Sequence, residues 1–539
     1  MFNKRMWTIV VAIVSIVCVL AICTTVAAVG VGTYLTPGQR SAVQPAQSTG
    51  VLRLYGRQPV TLDPALAGDA NSTEFIDKIF SGLVTLNDKL EIVPELAKSW
   101  DVSDGGKVYT FHLRDGLKFQ DGTPVTAEDF KYSVERMTDP ATGSQVASSY
   151  VTDIVGAADK LAGKAKEVKG VEVLDPSTVR ITIDAPKAYF LSKLSYHTFY
   201  IVDRRNVESG GPNWWLKPNG TGPFKLASIS QDQVVLNSNP YYVEGQPPIA
   251  RVEFTLRGGS PMTMYEQGEL DSVFVPPSDT ERVLDPSNPL SAELRVIPSL
   301  SIEYLAFDVT QPPFNDPKVR QALAYATDKD GIAKVLEQKT VIPAKGILPP
   351  GLPGYNKDLK GIPYDPQKAK ELLAESSYKD AQHLPPIVFV TSSEGATTDP
   401  LAASLTNMYS DTLGINIELQ QVDWNHFQQD LYEFKYQMFM LGWVADYPDP
   451  EDFLDVIFYS GSELNHSRYS NPEVDKLLVA ARTEQDQAKR FQLYQQAEQI
   501  IVDDCPWVPL YHSVDYVLVK RYNQKLWIGA IKEGGVSFG

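Results

Sequence analysis

The sequence predicts a mixed α/β protein with more than one core, and three observations carry that expectation. At 539 residues the chain exceeds the roughly 100–150 residues that a single domain typically spans. Its composition, 43% hydrophobic and 10% aromatic, is that of an ordinary globular protein. Helical and strand periodicities alternate in irregular order with no repeat of fixed length. That pattern argues for α/β or α+β layers rather than a barrel or solenoid.

Residues 51–55 read as the first strand of the folded part, and Asn71 is placed to cap a helix through Glu74, Phe75, Ile79 and Phe80. A meander is expected between Trp100 and Val125. Residues 108–113 alternate, and Asp104-Gly105, Asp115-Gly116 and Asp121-Gly122 mark turns. Thr126-Ala127-Glu128-Asp129 has the capping-box pattern and begins a helix carrying Phe130 and Val134. Residues 171–183 form a strand pair around Asp175-Pro176-Ser177. Residues 219–224, Asn-Gly-Thr-Gly-Pro-Phe, are a dense turn into strands near 224–226 and 234–236. Residues 304–307 read as a strand, and Asp316-Pro317 caps a helix expected to run through Val319, Leu323 and Ile332. Asn471-Pro472 starts a helix with Val474, Leu477, Leu478 and Ala481. Phe491, Tyr494, Ala497 and Ile501 continue helical spacing, and 508–511 and 516–519 close the fold as two strands.

Residues 7–31 are almost wholly apolar, and after Lys4 and Arg5 no charge appears until Arg40. That run is long enough to span a bilayer, and the basic flank before it predicts export of the chain beyond it. It is long for a cleavable signal core, so an uncleaved anchor is the expectation. Cys23 follows Leu20-Ala21-Ile22, close to a bacterial lipoprotein box, but Ile22 stands where that box wants a small residue. Residues 36–50 form a polar Pro/Gln/Ser linker.

The net charge is −17, and the only charges in residues 1–50 are basic, so the body is more acidic still. Phosphate backbones would repel it, which excludes nucleic acid as an expected partner. Cys18 and Cys23 lie in the apolar segment, leaving Cys505 without a disulfide partner in the body. The six histidines lack metal-ligand spacing, and no metal or cofactor is expected.

The most telling stretch is residues 442–454, Gly-Trp-Val-Ala-Asp-Tyr-Pro-Asp-Pro-Glu-Asp-Phe-Leu. Asp449 suits an N-cap, Pro450 the first helical position, and Glu451 and Asp452 the positive end of the helix dipole. Phe453, Leu454, Ile457 and Phe458 supply an apolar face. Asp446 has no such local task. A carboxylate held between Trp443 and Tyr447 suits a ligand ammonium group.

Several motifs occur together in one order. They are Leu62-Asp63-Pro64-Ala65, residues 94–100 (Pro-Glu-Leu-Ala-Lys-Ser-Trp), residues 110–114 with 121–130, residues 219–224, residues 314–323 (Phe-Asn-Asp-Pro-Lys-Val-Arg-Gln-Ala-Leu), and the Gly442 stretch. Taken in sequence, they resemble the peptide-binding branch of extracytoplasmic solute-binding protein family 5, the receptors that feed ABC importers. The resemblance covers nearly all of residues 51–539.

It implies a two-lobed periplasmic-binding-protein-like α/β fold (type II, large class) with an additional small domain and a hinge. The implied division is 1–35 anchor or signal segment and 36–50 linker. Lobe I takes 51–95, 212–297 and 509–539, the small domain 96–211, and lobe II 298–508. By the same resemblance Asp446 binds the peptide ammonium, Gly442, Trp443 and Val444 offer backbone to the ligand, Trp424 lines a side-chain pocket, and Tyr304 is a further contact. The implied partners are a peptide and an ABC permease with cytoplasmic ATPases. The protein would be a monomer tethered to the outer face of the bacterial membrane by its N-terminal segment. One departure is that Met440 stands where oligopeptide receptors can carry an arginine near the ligand carboxylate. A nickel chelate or oligosaccharide is the alternative ligand in the same fold, and sensing or adhesion the alternative to uptake. The rival class is an anchored hydrolase: Ser376-Ser377-Tyr378-Lys379 matches Ser-x-x-Lys, but Lys339-Thr340 is followed by Val341, and the motif falls in a polar stretch expected to be exposed.

Overall fold

The computed structural model describes residues 50–87, 90–336, 340–392 and 399–520. The apolar N-terminal segment, its two cysteines, the linker up to residue 49 and Lys339 lie outside the described residues. No helix among the described residues is long and apolar enough to cross a membrane.

Three larger sheets organise these residues. In the first, Val51–Tyr55 pairs parallel with Arg251–Thr255, which pairs antiparallel with Gln233–Ser238 and then Phe224–Ile229. Alternation along Arg-Val-Glu-Phe-Thr sends Val252 and Phe254 to one face, where they meet Phe75, Ile76 and Ile79 of the helix Ala70–Ile79. The cap of that helix is Asp69, whose carboxylate accepts from the Ser72 N–H at 3.1 Å, not Asn71, which falls in the first turn. Two side chains, Asp69 and Asn71, could both cap, and the start two residues earlier decides between them. The 219–224 turn packs on the end of this helix. A Cβ on Gly220 would stand 2.0 Å from the Ile79 carbonyl oxygen, so glycine is required by close approach.

The second sheet is the expected meander, Ala97–Ser103, Val108–Leu113, Thr178–Thr182 and Val171–Asp175 in that spatial order. The helix Ala127–Met137 buries Phe130 and Val134 against Phe111, Val179 and Ile181. Its capping box is formed between Thr126 and Asp129.

The third sheet has eight strands, with the order Ser272–Phe274, Trp507–Val519, Ser301–Phe307, Met438–Val444, Ile387–Ser392, Ile417–Val422 along its main path. The two strands expected at 508–511 and 516–519 are one strand, Trp507–Val519. Its first part pairs with Ser301–Phe307, and its last part with Ser272–Phe274 and Leu294–Pro298. It thereby joins the large sheet to the neighbourhood of the first one, where the Asp271 carboxylate accepts from Arg53 N at 2.8 Å. The helix capped by Asp316 ends at Tyr325, short of Ile332, because Thr327 and Asp328 break the run and Asp328 caps a new turn. Asn471 and Asp486 cap the helices Pro472–Thr483 and Gln487–Asp504. Cys505 ends the latter as a buried free thiol.

Candidate binding cleft

The strand Met438–Val444 runs straight into the turn that carries Asp446. Along its whole length it pairs with Ser301–Phe307. On its other side only Met438 and Phe439 pair, with Phe389 and Val390. Among the described residues no strand pairs with residues 440–444 on that side, which leaves a backbone edge facing a cavity of about 930 Å³. The cavity is lined by all six residues nominated from the sequence: Asp446, Trp443, Gly442, Val444, Trp424 and Tyr304. Its opposite walls come from residues around Arg57 and Asn71, from Pro277 and Ser278, and from Tyr150 and Tyr196 beside the meander sheet.

Asp446 is 9% exposed and sits in an aromatic setting, though not the expected one. Tyr447 is fully buried and turned away, its hydroxyl donating to Glu451. The phenol that meets Asp446 is Tyr150, which donates to Oδ2. Tyr196 stacks tilted on Tyr150, with centroids 4.6 Å apart, and also hydrogen-bonds the carboxylate. Trp443 donates instead to Asp452 Oδ2 at 3.4 Å, and the same oxygen accepts the Asp446 N–H at 2.9 Å. Asp452 thus pins the turn that aims Asp446.

Burial pushes the Asp446 carboxyl up to about 7, against the hydrogen bonds from Tyr150 and Tyr196 that favour its charged form. Asp452 is pushed well up as well, first by burial and then by the Asp446 charge. Two neighbouring buried carboxyls resist ionising together, so the pair favours one negative charge over two.

The remaining acids of this stretch do more than favour a helix dipole. Asp449 caps Pro450–Phe458 through the Glu451 N–H at 3.0 Å and also takes a two-pronged bond from buried Arg490. Glu451 accepts from Lys193 Nζ at 2.8 Å, and Lys193 lies 3.3 Å from Asp153, which Lys187 also meets at 2.5 Å. This buried chain of charges ties the segment around 150–193 to the turn that holds Asp446. Every residue of Pro450–Phe458 is buried, so the helix has no solvent face at all.

Sequence reasoning missed Tyr150 and Tyr196, which carry no motif. It also missed Thr391 and His466, whose Oγ1 and Nδ1, like Nε1 of the nominated Trp424, are buried on the cavity wall without a hydrogen-bond partner among the described residues. Burial pulls His466 down to about 4, so its ring is neutral at pH 7. Trp424 stacks on Phe427 and Tyr304 on Trp507, with centroids 5.9 and 3.3 Å apart. The Ser-x-x-Lys serine is a helix terminator rather than an exposed group. Ser376 is fully buried, outside the cavity, donating to the Leu373 carbonyl at 2.6 Å and accepting from Tyr378 and Lys379 N–H groups.

The sequence pattern of bacterial extracellular solute-binding proteins, family 5 Middle, matches residues 91–465. The chain belongs to that family. It is 32% identical over 480 residues to an Escherichia coli protein named "Probable deoxycholate-binding periplasmic protein YgiS", covering 86% of this chain and 88% of that one. It is 29% identical over 491 residues to the dipeptide-binding protein DppE of Bacillus subtilis, covering 88% and 89%. The E. coli murein tripeptide binding protein MppA superposes with a TM-score of 0.80 at 28% identity, over 89% of this chain and 95% of that one. Against the unliganded open form of MppA the TM-score is 0.64, over 92% and 97%. The fold is therefore the two-lobed periplasmic-binding-protein-like one, with its extra small domain and hinge, and the family it belongs to acts outside the cytoplasm.

Proposed function

We propose that the chain is a non-catalytic, extracytoplasmic receptor that captures peptides and delivers them to an ABC permease with cytoplasmic ATPases. The observation that carries this reading is Asp446, a buried carboxyl on a cavity wall that burial pushes up to about 7. A peptide ammonium would take the place of its proton. Its backbone would pair with the open edge at residues 440–444 as an added strand, giving affinity without reading side chains. Gly442 and Val444 offer that edge, and Trp443, Trp424 and Tyr304 line the cavity beside it. Ligand names among the relatives, a dipeptide and a murein tripeptide, support the same class.

In this reading residues 51–95, 212–297 and 509–539 form one lobe, 298–508 the other, and 96–211 the small domain. The lobes shut over the ligand by hinge rotation, and the poorer match to the open form of MppA supports a shut arrangement here. Residues 1–35 tether the receptor, a monomer, to the membrane, and 36–50 give it reach.

Truncating one member of a buried charge pair costs roughly 2–5 kcal/mol, on the order of 30- to several-thousand-fold in affinity. Calorimetry with di- to tetrapeptides should therefore show binding that Asp446→Ala and N-acetylation of the peptide both nearly abolish. Equal affinity in the variant sinks the assignment. A thermal-shift screen that adds nickel chelates, oligosaccharides and deoxycholate separates the competing ligand classes, since a ligand at 100 times its Kd stabilises by about 2.7 kcal/mol. Hydrolysis of the peptide during incubation would favour the enzyme class.

A further inference from the structure

The charges on the cavity wall are lopsided. Asp69, Glu303, Asp399 and Asp446 line it, and among the described residues Arg57 is the only lysine or arginine that does so. Asp69 and Asp399 are engaged as helix caps. His466 is neutral, and Met440 brings no charge to its part of the wall. Such a field welcomes an ammonium but repels a carboxylate, so a zwitterion can be held whole only where a cation answers its negative end.

Arg57 is suited to that task in three respects. Among the described residues it makes no hydrogen bond or ion pair, and it acts on the Glu74 carboxyl through longer-range charge. By contrast Arg53, four residues earlier, is held by Asp271 through Nε at 3.2 Å. Its backbone is fixed on both sides: Gly56 N–H donates to the Thr255 carbonyl at 3.0 Å, and Val60 N–H to Ser72 Oγ at 3.0 Å. A rigid base with a free, long side chain can reach ligands of different length. Finally, Arg57 follows Val51–Tyr55 of the first sheet, whereas Asp446 follows Met438–Val444 of the large one, so the two charges enter the cavity from different sheets.

We infer that Arg57 anchors the carboxylate of a zwitterionic ligand whose ammonium rests on Asp446, making it a determinant of specificity for free-acid peptides. This rests on the peptide reading above. A guanidinium presents planar paired donors that match a carboxylate, which a lysine or a neutral amide cannot reproduce.

The test is a cycle in the full-length protein. Alanine di-, tri- and tetrapeptides and their C-terminal amides are titrated calorimetrically into wild type, Arg57→Gln and Asp446→Asn. A charge-assisted hydrogen bond is worth about tenfold or more in affinity. Wild type should therefore prefer the acid over the amide by about that factor. Arg57→Gln should bind acid and amide within twofold of each other, with the amide's affinity and the thermal midpoint unchanged. If Arg57→Gln keeps the wild-type preference, or wild type has none while Asp446→Asn still abolishes binding of both, Arg57 is not the anchor and the peptide reading stands. If no member of the series binds wild type, both fall together.

Discussion

Tyr150 donates its phenolic hydrogen to the carboxylate of Asp446, although 296 positions separate the two in sequence. Both residues line the cavity, and the contact holds one oxygen of the carboxylate that the proposed reading assigns to the ligand ammonium. Tyr150→Phe removes that donor while keeping the ring that stacks near Tyr196. A hydrogen bond to a charged group is worth about 1.5–3 kcal/mol, so peptide affinity should fall on the order of 10- to 100-fold by calorimetry. An unchanged Kd would mean that the phenol only fills space.

Binding should depend on pH with a definite sign. The carboxyl of Asp446 is pushed up to about 7, and a free peptide amine titrates near roughly 7.7–8.0. The pair forms only when the acid has lost its proton and the amine has kept its own. Affinity should rise as pH increases toward about 7 and fall again above about 8, giving a narrow maximum. Titrations at four pH values between 5 and 9 check this. A flat profile from 5.5 to 7.5 contradicts a titrating Asp446.

The same group should weaken the empty protein. A carboxyl whose folded pKa lies above its ordinary 3.8 binds a proton that the unfolded chain has released. Its favourable contribution is complete below about 3.8 and is lost as pH climbs to about 7. Asp446→Asn keeps an acceptor for Tyr150 and removes the ionisation. Without ligand this variant should be more stable than wild type at pH 8, by ~1–3 kcal/mol, and little different at pH 4, as read from denaturant midpoints.

Lys193 is the cation between Glu451 and Asp153, all three buried. Lys193→Met leaves Glu451 without its cation, while Asp153 keeps Lys187 at 2.5 Å, and breaking a buried pair in this way costs about 3–5 kcal/mol. Chemical denaturation should report that loss. A variant carrying Lys193→Met with Glu451→Gln should recover part of it.

Trp424 and Trp507 should respond in opposite ways to replacement by phenylalanine. Trp507 Nε1 donates to Ser467 Oγ at 3.0 Å, so Trp507→Phe should destabilise by ~1–3 kcal/mol. Trp424 Nε1 has no acceptor among the described residues, and Trp424→Phe should leave the thermal midpoint nearly unchanged while altering which peptide side chains are preferred. A peptide panel measured against both proteins tests this.

What could be read in the chain was whatever is written over short distances. Capping residues, strand alternation and the turn at residues 219–224 are local, and so is the Gly442 stretch, where strand, turn and cap follow within a dozen positions. All six nominated residues consequently reach one cavity. Tyr150 escaped because it sits on the five-residue helix Ala147–Val151, without periodicity or motif, and acts only through a distant partner. Glu451 and Asp452 were legible as helix-start acids, but the dipole argument says nothing of burial, and burial is what gives them their other partners. The polar middle of Trp507–Val519, His512 to Asp515, reads as a break. It is instead the span where the strand leaves one set of partners for another, with His512 buried and Ser513 to Asp515 half-buried.

That unbroken strand has a mechanical consequence. A ribbon of extended backbone shared by the two halves can twist or flex, but it cannot slide along itself without giving up its ladder on one side. In the proposed reading, opening would then be a swing about this strand rather than a slide along it. Stiffening residues 511–515 would slow entry and exit alike while leaving the shut geometry, and hence the chemistry of recognition, as it was.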